Sequence, residues 1–184
     1  MYKIKLYGLG GQGVVTAANI LSHAVSINEN KYAKTVPAYG HERRGAPVFS
    51  DVMMDDNPIL LNSFVYEPDI VIVFDASVMD KGIDMGKGIH ENTRLVINTD
   101  RDSVLNRVKE RYKFSEIYYV NATKIAVEHI GRNIPNGPML GAAASTGIVK
   151  IDSIKESLME FFGARGGEKN VQAAEEAFRK TGRL

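Results

Sequence analysis

Residues 3–27 read KIKLYGLGGQGVVTAANILSHAVSI, and the change of period inside this stretch decides the fold class. Lys3 to Tyr7 alternates polar and apolar side chains up to Gly8, which is the period of a strand. From Val14 to Ile27 the pattern is helical. Val14, Ala17, Ala18, Leu21 and Val25 share one face, with Asn19, Ser22, His23 and Ser26 opposite. Between strand and helix stands Gly8-Leu9-Gly10-Gly11-Gln12-Gly13, which has GxGxxG spacing. A strand, a glycine turn and a helix in that order begin an α/β layer structure.

The same alternation continues downstream. Tyr32 to Val36 reads as a second strand stopped by Pro37, Ala46 to Met54 as another extended segment, and Ile59 to Leu61 as a further short one. Ile70 to Phe74 is an unbroken IVIVF run, as in a strand buried on both faces of a mostly parallel sheet. Leu95 to Asn98 and Ile117 to Val120 are of the same kind, and Asn121 to Ile130 follows as a helix. The last third reads as helical. Pro138 suits the first residue of a helix through the small-residue stretch MLGAAASTG, in which Gly141 to Gly147 can pack on the sheet or form a subunit interface. Ser153 and Glu156 have capping-box spacing ahead of Leu158, Phe161 and Phe162. A Gly163 to Gly167 joint precedes a final helix with Val171, Ala174 and Phe178 on one face. The expectation is an α/β protein, residues 1–184 as one domain, with an open, mostly parallel sheet, helices on both faces and a helical C-terminal third. Lys81 to Gly88, with three glycines, is the expected mobile loop.

Composition narrows the chemistry. The 184 residues are 44% hydrophobic, enough for one real core. Charge is nearly balanced at +1, with no clustered basic face for nucleic acid and no basic amphipathic stretch for a membrane surface. There is no cysteine, which removes disulfides, thiolate metal sites, cysteine nucleophiles and cysteine-held iron–sulfur clusters from this chain. His23, His41, His90 and His129 show no paired metal spacing, and His23 reads as solvated. The Met53-Met54 pair reads as core filling. With no apolar leader and no run of the roughly 20 residues that a spanning helix needs, the expected location is cytoplasmic.

The glycine turn admits two readings. Its glycines permit positive φ and close approach, and a helix N-terminus offers free N–H groups to an anion. Alternatively, they only let strand and helix pack closely. A dinucleotide site would need an acid about 20 residues on, at the end of the second strand. That strand ends in Thr35-Val36-Pro37, and Glu29 lies before it, which counts against NAD. No Gly-Lys-Ser/Thr triplet follows, so the phosphate loop of nucleotide triphosphatases is absent. Asp75, at the end of the IVIVF run, stands where ligands of open α/β sheets collect, yet Asp75 or Ser77 reads more readily as a cap for the next turn. Within PAYGHERRGAP, residues 37–47, Arg43 and Arg44 can fork onto a phosphate or carboxylate, or pair with Glu42 in a solvated loop.

GLGGQGVVTAA, PAYGHERRGAPV, EPDIVIVFD and GPMLGAAASTGIV, in this order and spacing, resemble the gamma subunit of 2-oxoacid:ferredoxin oxidoreductases. The ERRGAPV form is more similar to pyruvate and branched-chain members than to 2-oxoglutarate or indolepyruvate members. The resemblance implies a multi-subunit enzyme that oxidatively decarboxylates a 2-oxoacid to an acyl-CoA and reduces ferredoxin. It places thiamine diphosphate and iron–sulfur clusters on alpha, beta and delta partners. To the gamma chain it assigns coenzyme A binding and assembly, and no catalytic or metal-ligating residue. Carried onto this sequence, Gly10, Gly11, Gln12, Gly13, Arg43 and Arg44 become the expected contacts for the anionic part of coenzyme A. The alternatives are a 2-oxoisovalerate-specific complex and a stand-alone dinucleotide- or phospholigand-binding α/β protein.

Overall fold

A computed structural model describes residues 1–38 and 45–184. β1 (Tyr2–Leu9) passes through the glycine turn into α1 (Val14–His23), which closes in one wide π turn, Ala24–Asn28. β2 (Tyr32–Pro37), β3 (Pro47–Asp55) and β4 (Ile70–Val73) follow, then a 3-10 turn, Ala76–Lys81. The remainder is β5 (Arg94–Asn98), α2 (Asp102–Arg111), β6 (Glu116–Val120), α3 (Ala122–Ile130), α4 (Asn136–Ala144), α5 (Ile151–Lys180) and β7 (Gly182–Arg183).

The seven strands form one sheet in the order β2-β3-β1-β4-β5-β6-β7. β1, β4, β5 and β6 are mutually parallel, whereas β3 and β7 run against their neighbours. All four residues of β4 are buried, as expected for a central parallel strand covered on both faces. On one face Ile4, Leu6, Ile70, Ile72, Val96 and Val120 pack under α1, α3, α4 and α5. On the other, Val71, Val73, Leu95, Ile97 and Ile117 pack under α2, the 3-10 turn and Met85. Each such large apolar side chain is worth about 1.5–3 kcal/mol when fully buried. That term, rather than helix or strand propensity, fixes which faces meet. The sheet is therefore open and mixed, with helices on both faces as expected.

Several local expectations are corrected. Ile59 to Leu61 forms no strand: it pairs with no member of the sheet and leaves Leu60 and Leu61 exposed in the connection after β3. Lys34 Nζ donates to Leu61 O at 2.9 Å, and further along the connection Val65 N donates to Asp51 at 2.7 Å. Lys81 to Gly88 keeps Lys81, Gly82, Asp84, Lys87 and Gly88 exposed around one anchor, the fully buried Met85. Pro138 is the third residue of α4 and not its first, still inside the turn where no N–H is needed. Ser153 lies buried inside the first turn of α5 and caps nothing; Lys150 is the cap position, and its N–H donates to Glu29 at 2.7 Å. His23 is not solvated, since it bonds Ser157 at 2.9 Å and approaches Glu160 at 3.1 Å. α2 is a helix the sequence reading leaves out, although Val104, Leu105 and Val108 mark its buried face.

The small-residue stretch of α4 lies flat against α5. A Cβ on Gly141 would fall 2.0 Å from Ala174 O, so only glycine permits this approach. α4 is buried along its whole length and also reaches the sheet core, so the packing reading holds in the isolated chain. Gly163, at φ 66 and ψ 178, breaks α5 into two helices and turns the second one back toward the glycine turn.

Candidate anion-binding cleft

The glycine turn is tied by two backbone hydrogen bonds to the stretch just before β3. Gly10 N donates to Ala46 O at 2.8 Å, and Gly45 N donates to Gly10 O at 3.1 Å. Gly8 has no room for a side chain, because its Cβ would meet Val14 Cγ2 at 2.6 Å and Phe74 Cβ at 2.9 Å. Gly13 is the N-cap of α1 with φ 75 and offers no side-chain cap, so the first N–H groups of α1 are left to a ligand or to water. The close-packing reading and the anion reading of these glycines are therefore both served by one geometry.

The chain reverses its spread across the sheet at β1, which places a topological switch point between the carboxyl ends of β1 and β4. That crevice is bridged. Gln12 Oε1 accepts from Leu9 N at 2.8 Å, and Gln12 Nε2 donates to Asp75 Oδ2 at 2.8 Å. Asp75 is also the expected cap, its Oδ1 accepting from Ser77 N at 2.9 Å.

The open space lies on the helical side of the turn. A cleft of about 690 Å³ runs between Gly10, Gly11, Gly13 and the start of α1, the connector after α3, and the second half of α5. This is within the roughly 300–1,000 Å³ common for small-molecule sites. Val14, Val15, Val48, Ile130, Ile134 and Phe162 give it an apolar wall. Arg132, Arg165 and Lys169 line it as cations. All three are exposed, and among the described residues none is paired with a carboxylate. Arg132 also borders a second cleft of about 550 Å³ over Gly10, Gly11 and Gln12. An uncapped helix start, three unpaired cations and an apolar wall suit a ligand with an anionic end and an uncharged remainder.

Of the expected contacts, Gly10, Gly11 and Gly13 border the 690 Å³ cleft, while the Gln12 side chain turns away from it into the crevice. Arg43 and Arg44 lie outside the described residues. Sequence reasoning missed Arg132, Arg165 and Lys169. Their only signal is local: Arg165 and Lys169 stand four apart just after the Gly163 break, and Arg132 just after Gly131. Among the described residues no cluster of His, Asp or Glu could hold a metal ion, and no helix is long and apolar enough to cross a membrane.

Fold and cleft together define an open α/β protein with a cation-lined cleft beside a strand–glycine–helix turn. The chain belongs to the pyruvate ferredoxin/flavodoxin oxidoreductase family, whose model matches residues 3–180, and within it to the gamma-subunit type. It is 44% identical over 184 residues to the "Pyruvate/ketoisovalerate oxidoreductases common subunit gamma" of Thermococcus litoralis, covering 98% of this chain and 97% of that one. It is 40% identical over 179 residues to "Pyruvate synthase subunit PorC" of Methanocaldococcus jannaschii, covering 97% and 96%. The crystal structure of pyruvate oxidoreductase subunit PORC from Thermotoga maritima superposes with a TM-score of 0.84 at 30% identity, over 99% of this chain and 97% of that one. The same fold recurs, with a TM-score of 0.73 and 17% identity, in a 2-oxoglutarate:ferredoxin oxidoreductase from Magnetococcus marinus solved with 2-oxoglutarate, coenzyme A and succinyl-CoA bound. The match covers 96% of this chain and 30% of that larger one.

Proposed function

We propose that this gamma chain holds the anionic end of coenzyme A for a heteromeric 2-oxoacid:ferredoxin oxidoreductase. The observation that carries the reading is the convergence of Arg132, Arg165, Lys169 and the uncapped α1 N-terminus on one cleft. The phosphates of coenzyme A need such donors, while its adenine and pantetheine parts suit the apolar wall. Alpha, beta and delta partners supply thiamine diphosphate, the iron–sulfur clusters and the contact with ferredoxin; the cysteine-free composition agrees with that division. Since the 2-oxoacid binds at the thiamine, the same gamma chain can serve pyruvate or 2-oxoisovalerate. The name of the T. litoralis relative records both for that protein.

A stand-alone dinucleotide-binding role is disfavoured by two observations. The Gln12–Asp75 bond bridges the switch-point crevice, and Glu29, the nearest acid to the ribose position, accepts from Lys150 N at 2.7 Å instead. Calorimetric titration of the assembled complex is expected to show coenzyme A binding that the desulfo analogue retains, and no heat with NAD or NADP. Tight NAD binding without coenzyme A binding would reverse the assignment. Replacing Arg43 and Arg44 together by alanine is expected to raise the KM for coenzyme A about tenfold, one charge-assisted contact being worth about 1.5–3 kcal/mol. An intact complex with unchanged coenzyme A dependence would remove those two arginines from the site.

A further inference from the structure

Taking the cleft as the coenzyme A site, we propose that Asp75 is a positioning residue for it and acts through Gln12. Three hydrogen bonds run in series from the carboxyl end of β4 into the glycine turn. Ser77 N donates to Asp75 Oδ1, Gln12 Nε2 donates to Asp75 Oδ2, and Leu9 N donates to Gln12 Oε1, at 2.9, 2.8 and 2.8 Å. A capping role for Asp75 accounts for the first bond alone. The other two cross from β4 to β1 and end on the one side chain inside a turn otherwise made of glycines.

That turn needs an external brace. Gly11 and Gly13 sit at φ 98 and 75, and glycine populates many other backbone states at little cost. Gly10 is tied on one side through its backbone to Gly45 and Ala46. On the β4 side, the described residues offer the Gln12–Asp75 bond as the polar tie. This brace fixes the direction in which Gly13 launches α1, and with it where the uncapped N–H groups face. It also fills the switch-point crevice, so the ligand is received on the helical side of the turn. Gln12 thus orients the turn and does not reach the ligand itself.

The test is a double-mutant cycle on the assembled complex, with the KM for coenzyme A and kcat at saturating coenzyme A as separate readouts. Gln12→Glu sets two carboxylates against each other, and Asp75→Asn leaves Gln12 Nε2 facing an amide that must also serve Ser77 N. Each single change is expected to raise the KM roughly fivefold or more while kcat stays within about twofold. Combining Gln12→Glu with Asp75→Asn restores all three bonds, because the amide and the carboxylate have then changed places and the bond between them runs the other way. That exchange is expected to bring the KM back to within about threefold of wild type. Singles that lower thermal stability but leave the KM unchanged would reduce Asp75 to a cap and overturn the proposal. A double exchange no better than the singles would overturn it too. Arg132→Ala with Arg165→Ala and Lys169→Ala, measured alongside, separates the causes. If that variant raises the KM and the singles do not, positioning alone fails; if neither does, the cleft reading fails with it.

Discussion

A gamma chain carrying Arg132→Ala, Arg165→Ala and Lys169→Ala is expected to bind coenzyme A about 100-fold more weakly, with its fold intact. A buried charge-assisted contact would be worth about 1.5–3 kcal/mol, but all three cations here are exposed, so each is discounted toward 1 kcal/mol. Three such losses sum to roughly the 2.7 kcal/mol of a 100-fold change. The loss should shrink as salt rises from low to physiological ionic strength, because the Debye length falls to about 8 Å. Since none of the three has a carboxylate partner among the described residues, their removal leaves no orphaned charge and thermal stability should hold. Titration calorimetry on the reconstituted complex at two salt concentrations checks both halves. Unchanged affinity would move the coenzyme A contact elsewhere on the complex.

Asp51→Ala is expected to destabilise the chain by about 3–5 kcal/mol, measured as a shift in the urea midpoint at constant slope. Asp51 is fully buried on β3, directly opposite Lys5 of β1 in the ladder. Lys5 Nζ donates to its two oxygens at 2.8 and 3.0 Å and to Val65 O at 2.9 Å, and lies 4.9 Å from the centre of the Phe49 ring. Alanine would strand the Lys5 ammonium and the Val65 N–H together. Lys5→Met with Asp51→Leu, which removes both charges at similar volume, should cost far less. The pH dependence gives a second check. Burial pushes the Asp51 carboxyl above its ordinary value of 3.8, although Lys5 pulls it back. The proton-linked part of its contribution, separate from the ion pair itself, is therefore full below that ordinary value and lost as pH rises through the raised folded value. The double variant should lack that component of the pH profile.

How much of this was legible in the sequence varies with the range of the interaction. β1, β4, β5, β6 and α3 stand within a residue or two of where period and composition put them, because each buries a face whose pattern is local. Asn121 caps α3 by accepting from Lys124 N, and Met53 and Met54 fill the core, as their types suggest. Ile59 to Leu61 misled because an apolar triplet looks alike whether it joins a ladder or lies exposed in a connection. Only the pairing of the whole sheet decides between the two.

By itself the sequence determined the α/β class, the glycine turn between β1 and α1, the exclusion of thiolate chemistry and the kinship with the gamma subunits. All of these follow from short-range pattern, composition or ordered motifs. Tertiary structure alone brought the residues of the proposed cleft together. Arg132 follows α3, whereas Arg165 and Lys169 follow the break at Gly163, and no periodicity links them to a turn more than a hundred residues earlier. They meet it because Gly163 reverses α5 and Gly141 lets α4 and α5 close to backbone contact. In the same way Gln12, which looks from its motif like a ligand contact, faces Asp75 across the crevice. That choice is made by the spacing of β1 and β4 in the sheet, which a linear motif does not encode.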